Sequence, residues 1–175
     1  MRRIVQVESA FNPWAIGVVG GRLERQPSNR SEAIATAEWL ERNGYNYSVG
    51  LAQVNKTNFA RYGLTPQTAF EACPNLHAGG EILKDCFIRA NKTRGDEQAA
   101  LRDAFSCYYS GNFITGYKLG YVLKVVTSGV AMPQASPGSS RKKNNVVAFR
   151  AGNTPTAARE YAPSIAAASS SALLF

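Results

Sequence analysis

Asn12-Pro13 sets a hard stop close behind the first apolar run of this chain. Proline has no N–H to give an α-helix, and it drives the residue before it away from helical backbone. The helix carrying Ile4, Val5 and Val7 must therefore end within a turn or so of Glu8. Glu8 then sits in a last helical turn, among Val7, Phe11 and Trp14. A carboxyl in apolar surroundings resists ionisation, so its pKa rises. A raised pKa is what a general acid needs near neutral pH. Glu8 is thus the candidate catalytic residue.

Glycine and proline divide the rest into short elements. Residues 15–25 read as a β-hairpin with Gly20-Gly21 as its tight turn. An amphipathic helix over 31–43 follows, capped by Ser31 and closed by Gly44. Its inward residues are Ile34, Ala37, Leu40 and Trp39. Residues 45–49 read as a polar aromatic connector. Residues 56–62 are helical and end at Gly63. Thr65-Pro66 opens another short helix, which carries Phe70 and Cys73 and is broken by Pro74. Asn75 caps a helix over 75–90. Gly79-Gly80 inside it implies that another backbone or a ligand comes close. Residues 91–96 form a turn, 97–109 a helix, and 119–126 a last helix. From Thr127 proline, serine and alanine take over, and the composition is that of a disordered tail. Val146 to Phe149 is an apolar run within that tail, and Leu173 to Phe175 an apolar end. The expected fold class is mainly α: a compact bundle of short helices with one small β-hairpin. The expected division is an ordered domain over 1–126 and a low-complexity tail over 127–175.

The chain has 175 residues, enough for one domain with a core. No run of about 18 apolar residues occurs, so no membrane span is expected. A net charge of +8 favours polyanionic surroundings. The cations are scattered, however, with Arg141-Lys142-Lys143 as the one run. A nucleic-acid binder would concentrate them on one face, so no nucleic-acid partner is expected. Cys73, Cys86 and Cys107 make no C-x-x-C pair, and the sole histidine, His77, reads as a surface residue, so neither a zinc site nor any other cofactor is expected. The three cysteines allow one disulfide and a free thiol in an oxidising compartment, or three thiols in the cytosol. A helix starting near Asn75 carries residue 86 roughly 15 Å along its axis. That is beyond the reach of Cys73. A bond from Cys107 to either of the others is easier to build. Met1-Arg2-Arg3 offers no signal peptide before Glu8.

The remaining acids, including Glu32, Glu38, Glu41, Glu71 and Asp103, fall on helix patterns that read as solvated. No Ser-His-Asp set or phosphate loop occurs. Four segments carry more information together: Glu8-Ser9 with Asn12-Pro13; Gly50-Leu51-Ala52-Gln53-Val54-Asn55; Asn75-Leu76 with Ala78-Gly79; and Tyr108-Tyr109-Ser110-Gly111. In this order and spacing, over about 4–126, the chain resembles the lytic transglycosylases, goose-lysozyme-like enzymes that cut peptidoglycan. The likeness is greatest to the specialised lytic transglycosylases of type IV secretion systems.

The resemblance implies a role for each piece. Glu8 matches the catalytic acid and Ser9 the serine that follows it. Gln53 matches a position lining the sugar cleft, with Asn55 nearby. Asn75 and Gly79 match a helix under the cleft. Tyr108 matches the tyrosine of a Tyr-Asn-Ala-Gly segment, which here reads Tyr-Tyr-Ser-Gly. Ser9, Gln53, Asn55 and Tyr108 are the implied substrate-binding residues. The implied reaction cuts the β-1,4 bond between N-acetylmuramic acid and N-acetylglucosamine and leaves 1,6-anhydro ends. The implied partners are peptidoglycan strands and secretion-system components. The implied place is the periplasm, which would put an export signal upstream of Met1. The competing readings are a hydrolytic goose-type lysozyme and a non-catalytic wall-binding module on the same fold.

Overall fold

A computed structural model of the chain describes residues 1–129 and the backbone pairing of Ile165–Ala166. The apolar run at 146–149 and the apolar end at 173–175 lie outside the described residues, as does nearly all of the expected tail.

The described residues are mostly helical, as expected. Helix α1 (Arg2–Ser9) ends where Ala10 and Phe11 both take left-handed backbone, φ 50° and 64°. Strand β1 (Ile16–Val18) and strand β2 (Arg22–Leu23) flank the Gly20-Gly21 turn. That turn is closed by a single bridge, Val18 to Gly21. The true partner of β1 is β3 (Tyr47–Val49), in antiparallel register from Ile16 opposite Val49 to Val18 opposite Tyr47. β3 pairs in turn with β4 (Val54–Asn55), giving sheet order β1-β3-β4. The expected connector at 45–49 is therefore the central strand. Tyr47, Ser48 and Val49 are all buried, so the strand shows no inside–outside alternation to read. The short β5 (Ile165–Ala166) pairs antiparallel with β2.

Helix α2 (Arg30–Arg42) starts one residue early, because Asn29 rather than Ser31 is its cap: the Asn29 side chain accepts from Glu32 N at 2.9 Å. Gly44 closes it with φ 74°. Residues 56–62 form two 3-10 turns, Lys56–Asn58 and Ala60–Tyr62, ended by Gly63. A third such turn spans Thr68–Phe70.

Helix α3 (Ala72–Arg94) is longer than expected at both ends. Pro74 does not break it. It lies in the first turn, where the missing N–H has no helical partner to lose. Helices α4 (Glu97–Ser110), α5 (Thr115–Lys118) and α6 (Tyr121–Thr127) complete the described fold. The last helix expected over 119–126 is interrupted by Gly120, with φ 74°.

The core of the described residues falls into three apolar clusters, one of them around Cys86, Ala104 and Cys107 between α3 and α4; the other two flank the candidate site. One joins the sheet to α2 through Ile16, Val18, Tyr47, Val49, Ala37 and Leu40. The other joins α1, α4 and α6 through Ile4, Tyr108, Tyr109, Tyr121 and Val125. Ile82 of α3 packs against both, and the candidate site opens along their seam.

The disulfide is Cys86–Cys107, joining α3 to α4 with 5.7 Å between Cα atoms. Cys73 is free and exposed. Both readings of the sequence that kept Cys73 apart from Cys86 and bonded Cys107 hold. Asp103 does not match its expected solvated setting. It is 2% exposed and accepts from Arg94 Nε at 2.6 Å and from the Tyr117 hydroxyl at 2.7 Å.

Candidate active site

Glu8 occupies the last turn of α1 and lines two depressions at once. The larger, of about 640 Å³, runs past Ser9, Asn12, Ile16, Gln26, Tyr121 and Lys124. The other is a slot walled by Ser48, Asn55, Asn58, Ile82 and Tyr108. Gln53 and Tyr109 border both. Glu8 is the sole carboxylate on either wall among the described residues.

The Glu8 carboxyl is pushed up to about 7 from 4.5, first by burial. The Tyr121 hydroxyl donates to Oε1 at 2.5 Å and pulls the other way. Of the apolar neighbours expected, Val7 holds and Phe11 and Trp14 do not. Phe11 is 47% exposed, and Trp14 packs on the sheet cluster. Tyr108, Tyr109, Tyr121 and half-buried Val7 supply the low-dielectric wall. Tyr109 stacks on Tyr121 with ring centroids 4.5 Å apart. The Tyr121 and Tyr108 phenols are both raised, mainly by burial and further by the Glu8 charge, so they remain protonated donors.

The other sequence motifs converge on one loop, residues 50–53 between β3 and β4. Ser9 Oγ donates to Leu51 O at 2.8 Å. Tyr108 donates to Ala52 O at 2.6 Å. Asn75 accepts from Ala52 N at 2.8 Å and donates to Val49 O at 2.9 Å and Ala69 O at 2.8 Å. Asn75 was expected as a helix cap; it lies inside α3, and its buried amide holds the loop. Gly50 has φ 79°, and a Cβ there would meet Asn75 Nδ2 at 2.4 Å. Gly79 is needed for close approach, since its Cβ would lie 2.6 Å from that of Ala52. A Cβ at Gly80 would meet nothing within 4 Å outside its own helix backbone.

Gln53 is held at φ 47°, with Nε2 donating to Ala15 O and Gly50 O, both at 3.0 Å. Its amide oxygen has no hydrogen-bond partner among the described residues. Asn55 Oδ1 accepts from Thr57 N at 3.0 Å and Thr57 Oγ1 at 2.8 Å, and its Nδ2 donates to Ser48 Oγ. Of the residues named from the sequence, Glu8, Gln53, Asn55 and Tyr108 meet around the slot, and Ser9 faces the larger cleft. The hydroxyls of Ser9 and Tyr108 are already committed to backbone carbonyls.

The transglycosylase SLT domain family matches residues 1–122. The chain belongs to the transglycosylase SLT domain family. A relative from Brucella abortus (strain 9-941), "Type IV secretion system protein virB1", is 58% identical over 134 residues, covering 73% of this chain and 56% of the relative. "Protein virB1" of Rhizobium radiobacter is 38% identical over 134 residues, covering 75% and 55%. "Protein virB1" of Agrobacterium fabrum (strain C58 / ATCC 33970) is 37% identical over 146 residues, covering 81% and 57%. The chain thus spans about half the length of the curated relatives it matches. No solved structure matches.

In this SLT domain the sequence reading missed Tyr121 as a site residue. Tyr121 stands 113 positions from the acid it contacts, and nothing local marks it out from Tyr117. Tyr109, which departs from the family's commoner Asn, serves here as the ring that braces Tyr121.

Proposed function

We propose that this chain is the catalytic domain of a peptidoglycan lytic transglycosylase, with 1–126 as the working unit. The observation that carries the reading is a single carboxyl, Glu8, poised near 7 between two depressions with no other acid on their walls among the described residues. Glycoside hydrolysis ordinarily uses two carboxyl groups, the second as nucleophile or as base for water. One carboxyl serves when the substrate supplies the rest. Glu8 donates its proton to the oxygen of the β-1,4 bond as that oxygen parts from C1 of the muramoyl residue. The substrate's own acetamido oxygen supports the positive C1. The Glu8 carboxylate then takes the proton of the C6 hydroxyl, O6 bonds to C1, and a 1,6-anhydro end forms. No water is consumed, and Glu8 ends protonated as it began. Proximity favours O6, which belongs to the same sugar ring.

Asn55 and Tyr108 line the slot on one side of Glu8, Ser9 lines the larger cleft on the other and Gln53 borders both; these are the proposed substrate-binding residues. Tyr121 holds the acid in place. The likeness to relatives named type IV secretion system protein supports a role in opening the cell wall locally for such an apparatus. The Cys86–Cys107 bond supports an oxidising compartment, as the periplasm is.

The test is digestion of purified peptidoglycan with mass analysis of the products. Wild-type protein is expected to release anhydromuramoyl ends, and Glu8→Gln to lose at least about a hundredfold in rate, as befits loss of the general acid. Products carrying reducing ends would identify a hydrolytic lysozyme instead. Equal cutting by Glu8→Gln would end the proposal.

A further inference from the structure

A third cavity, of about 470 Å³, lies beyond the two that Glu8 lines, along α5. Its walls come from Arg94, Arg102, Phe113, Ile114, Tyr117 and Lys118, with buried Asp103 at its base. Asp103 is already satisfied by Arg94 and Tyr117. Arg102 and Lys118 are exposed and have no acidic partner among the described residues. Ile114 is 60% exposed and Tyr117 43%. The cavity therefore combines apolar walls with uncompensated positive charge.

Its position bears on what fills it. Lys118 faces this cavity, and the next residue, Leu119, lines the larger cleft beside Glu8. Leu119, 53% exposed, carries the apolar surface to the cleft side. A ligand lying in the cleft thus reaches the cavity by crossing one short helix. Peptidoglycan strands carry peptides with free carboxylates on their muramoyl residues. A peptide tethered to a strand already held in the cleft arrives at high effective concentration, so weak contacts suffice to hold it.

We propose that this cavity binds the carboxylate-bearing peptide stem of a glycan strand seated in the cleft, with Arg102 and Lys118 as the anion-binding residues. The inference rests on the peptidoglycan reading above and names which part of the substrate is recognised away from the cut bond. The chain would then prefer peptide-bearing glycan to bare glycan, and added salt would weaken the preference.

The test uses the full chain as Glu8→Gln, which separates binding from cutting. Its affinity is measured for soluble glycan strands with peptides attached and for the same strands stripped by an amidase. Peptide-bearing strands are expected to bind about threefold to tenfold tighter, the size that two exposed charge pairs supply. Adding Arg102→Glu and Lys118→Glu is expected to erase the difference, and adding Arg102→Lys and Lys118→Arg to retain it. Both positions are exposed, so the fold is not at risk. Equal affinity for the two kinds of strand, or a preference that survives charge reversal, overturns the proposal and leaves the cavity to an acidic segment of a partner protein. The failure of the catalytic reading shows separately, in the absence of anhydro products from wild-type protein.

Discussion

Glu8 and Tyr121 form the pair on which the proposed chemistry turns. Burial raises the carboxyl, and the Tyr121 hydroxyl restrains the rise by stabilising the ionised form. Tyr121→Phe keeps the ring stacked on Tyr109 and removes only that donor. The Glu8 pKa should then move above about 7, and the alkaline limb of kcat/KM should move to higher pH. kcat should fall about tenfold as the acid loses its orientation. A pH–rate profile reads both effects, and an unmoved alkaline limb would remove Tyr121 from this role. Stability carries the same signature. Between 4.5 and about 7 the unfolded chain has lost the Glu8 proton while the folded one keeps it. The folded state binds more protons there, so the Glu8 contribution falls as pH rises through that window and levels off above it. Glu8→Gln never ionises. It is expected to be more stable than wild type above pH 7, by about 1–3 kcal/mol, with the gap closing below pH 4.5. Urea unfolding across the range measures it.

At the scale of elements, the loop 50–53 is a piece of backbone held by side chains from three helices: Ser9 of α1, Asn75 of α3 and Tyr108 of α4. Such a loop carries Gln53 to the cleft in a fixed left-handed conformation. Neighbouring glycines in α3 separate packing from propensity. Gly79→Ala drives a Cβ to 2.6 Å from that of Ala52 and must displace the loop. It is expected to cost about 1–3 kcal/mol, the usual range for overpacking, and to lower activity. Gly80→Ala enters open space and gains helix propensity, so it is expected to stabilise by up to about 1 kcal/mol. Thermal unfolding of the two variants side by side tests the contrast, and a matching loss in both would show that the loop does not bear on α3.

Across the described molecule, α3 ties the two sides of the site together. Its first turns hold the loop, Ile82 touches both apolar clusters that flank the site, and Cys86 bonds it to α4 just before the paired tyrosines. Arg89 covers the bond, with Nη2 donating to Cys107 Sγ at 2.8 Å. The disulfide closes a loop of sequence separation 21. Cys86→Ser with Cys107→Ser is expected to lose about 3 kcal/mol. Its melting temperature should be insensitive to reductant, whereas that of wild-type protein should drop on reduction. Calorimetry with and without reductant reads both, and an unshifted wild-type melting temperature would make the bond dispensable to the fold.

What the sequence determined alone was whatever acts within a turn or two of chain. Asn12-Pro13 bounded the helix of Glu8, Gly44 and Gly63 closed theirs, the apolar spacing of α4 was plain, and Gly79 announced a close neighbour. The ordered series of motifs added the family. Only the tertiary structure decided the rest: β3 as a central strand, Asn75 as a buried clamp, Asp103 as a buried acid, and Tyr121 against Glu8. Capping, proline and helical periodicity are local rules, and one chain displays them in place. The bonds that shape the site join residues 23, 42, 56 and 113 positions apart. Those meetings are set by how the helices pack, and no spacing in a single sequence encodes them.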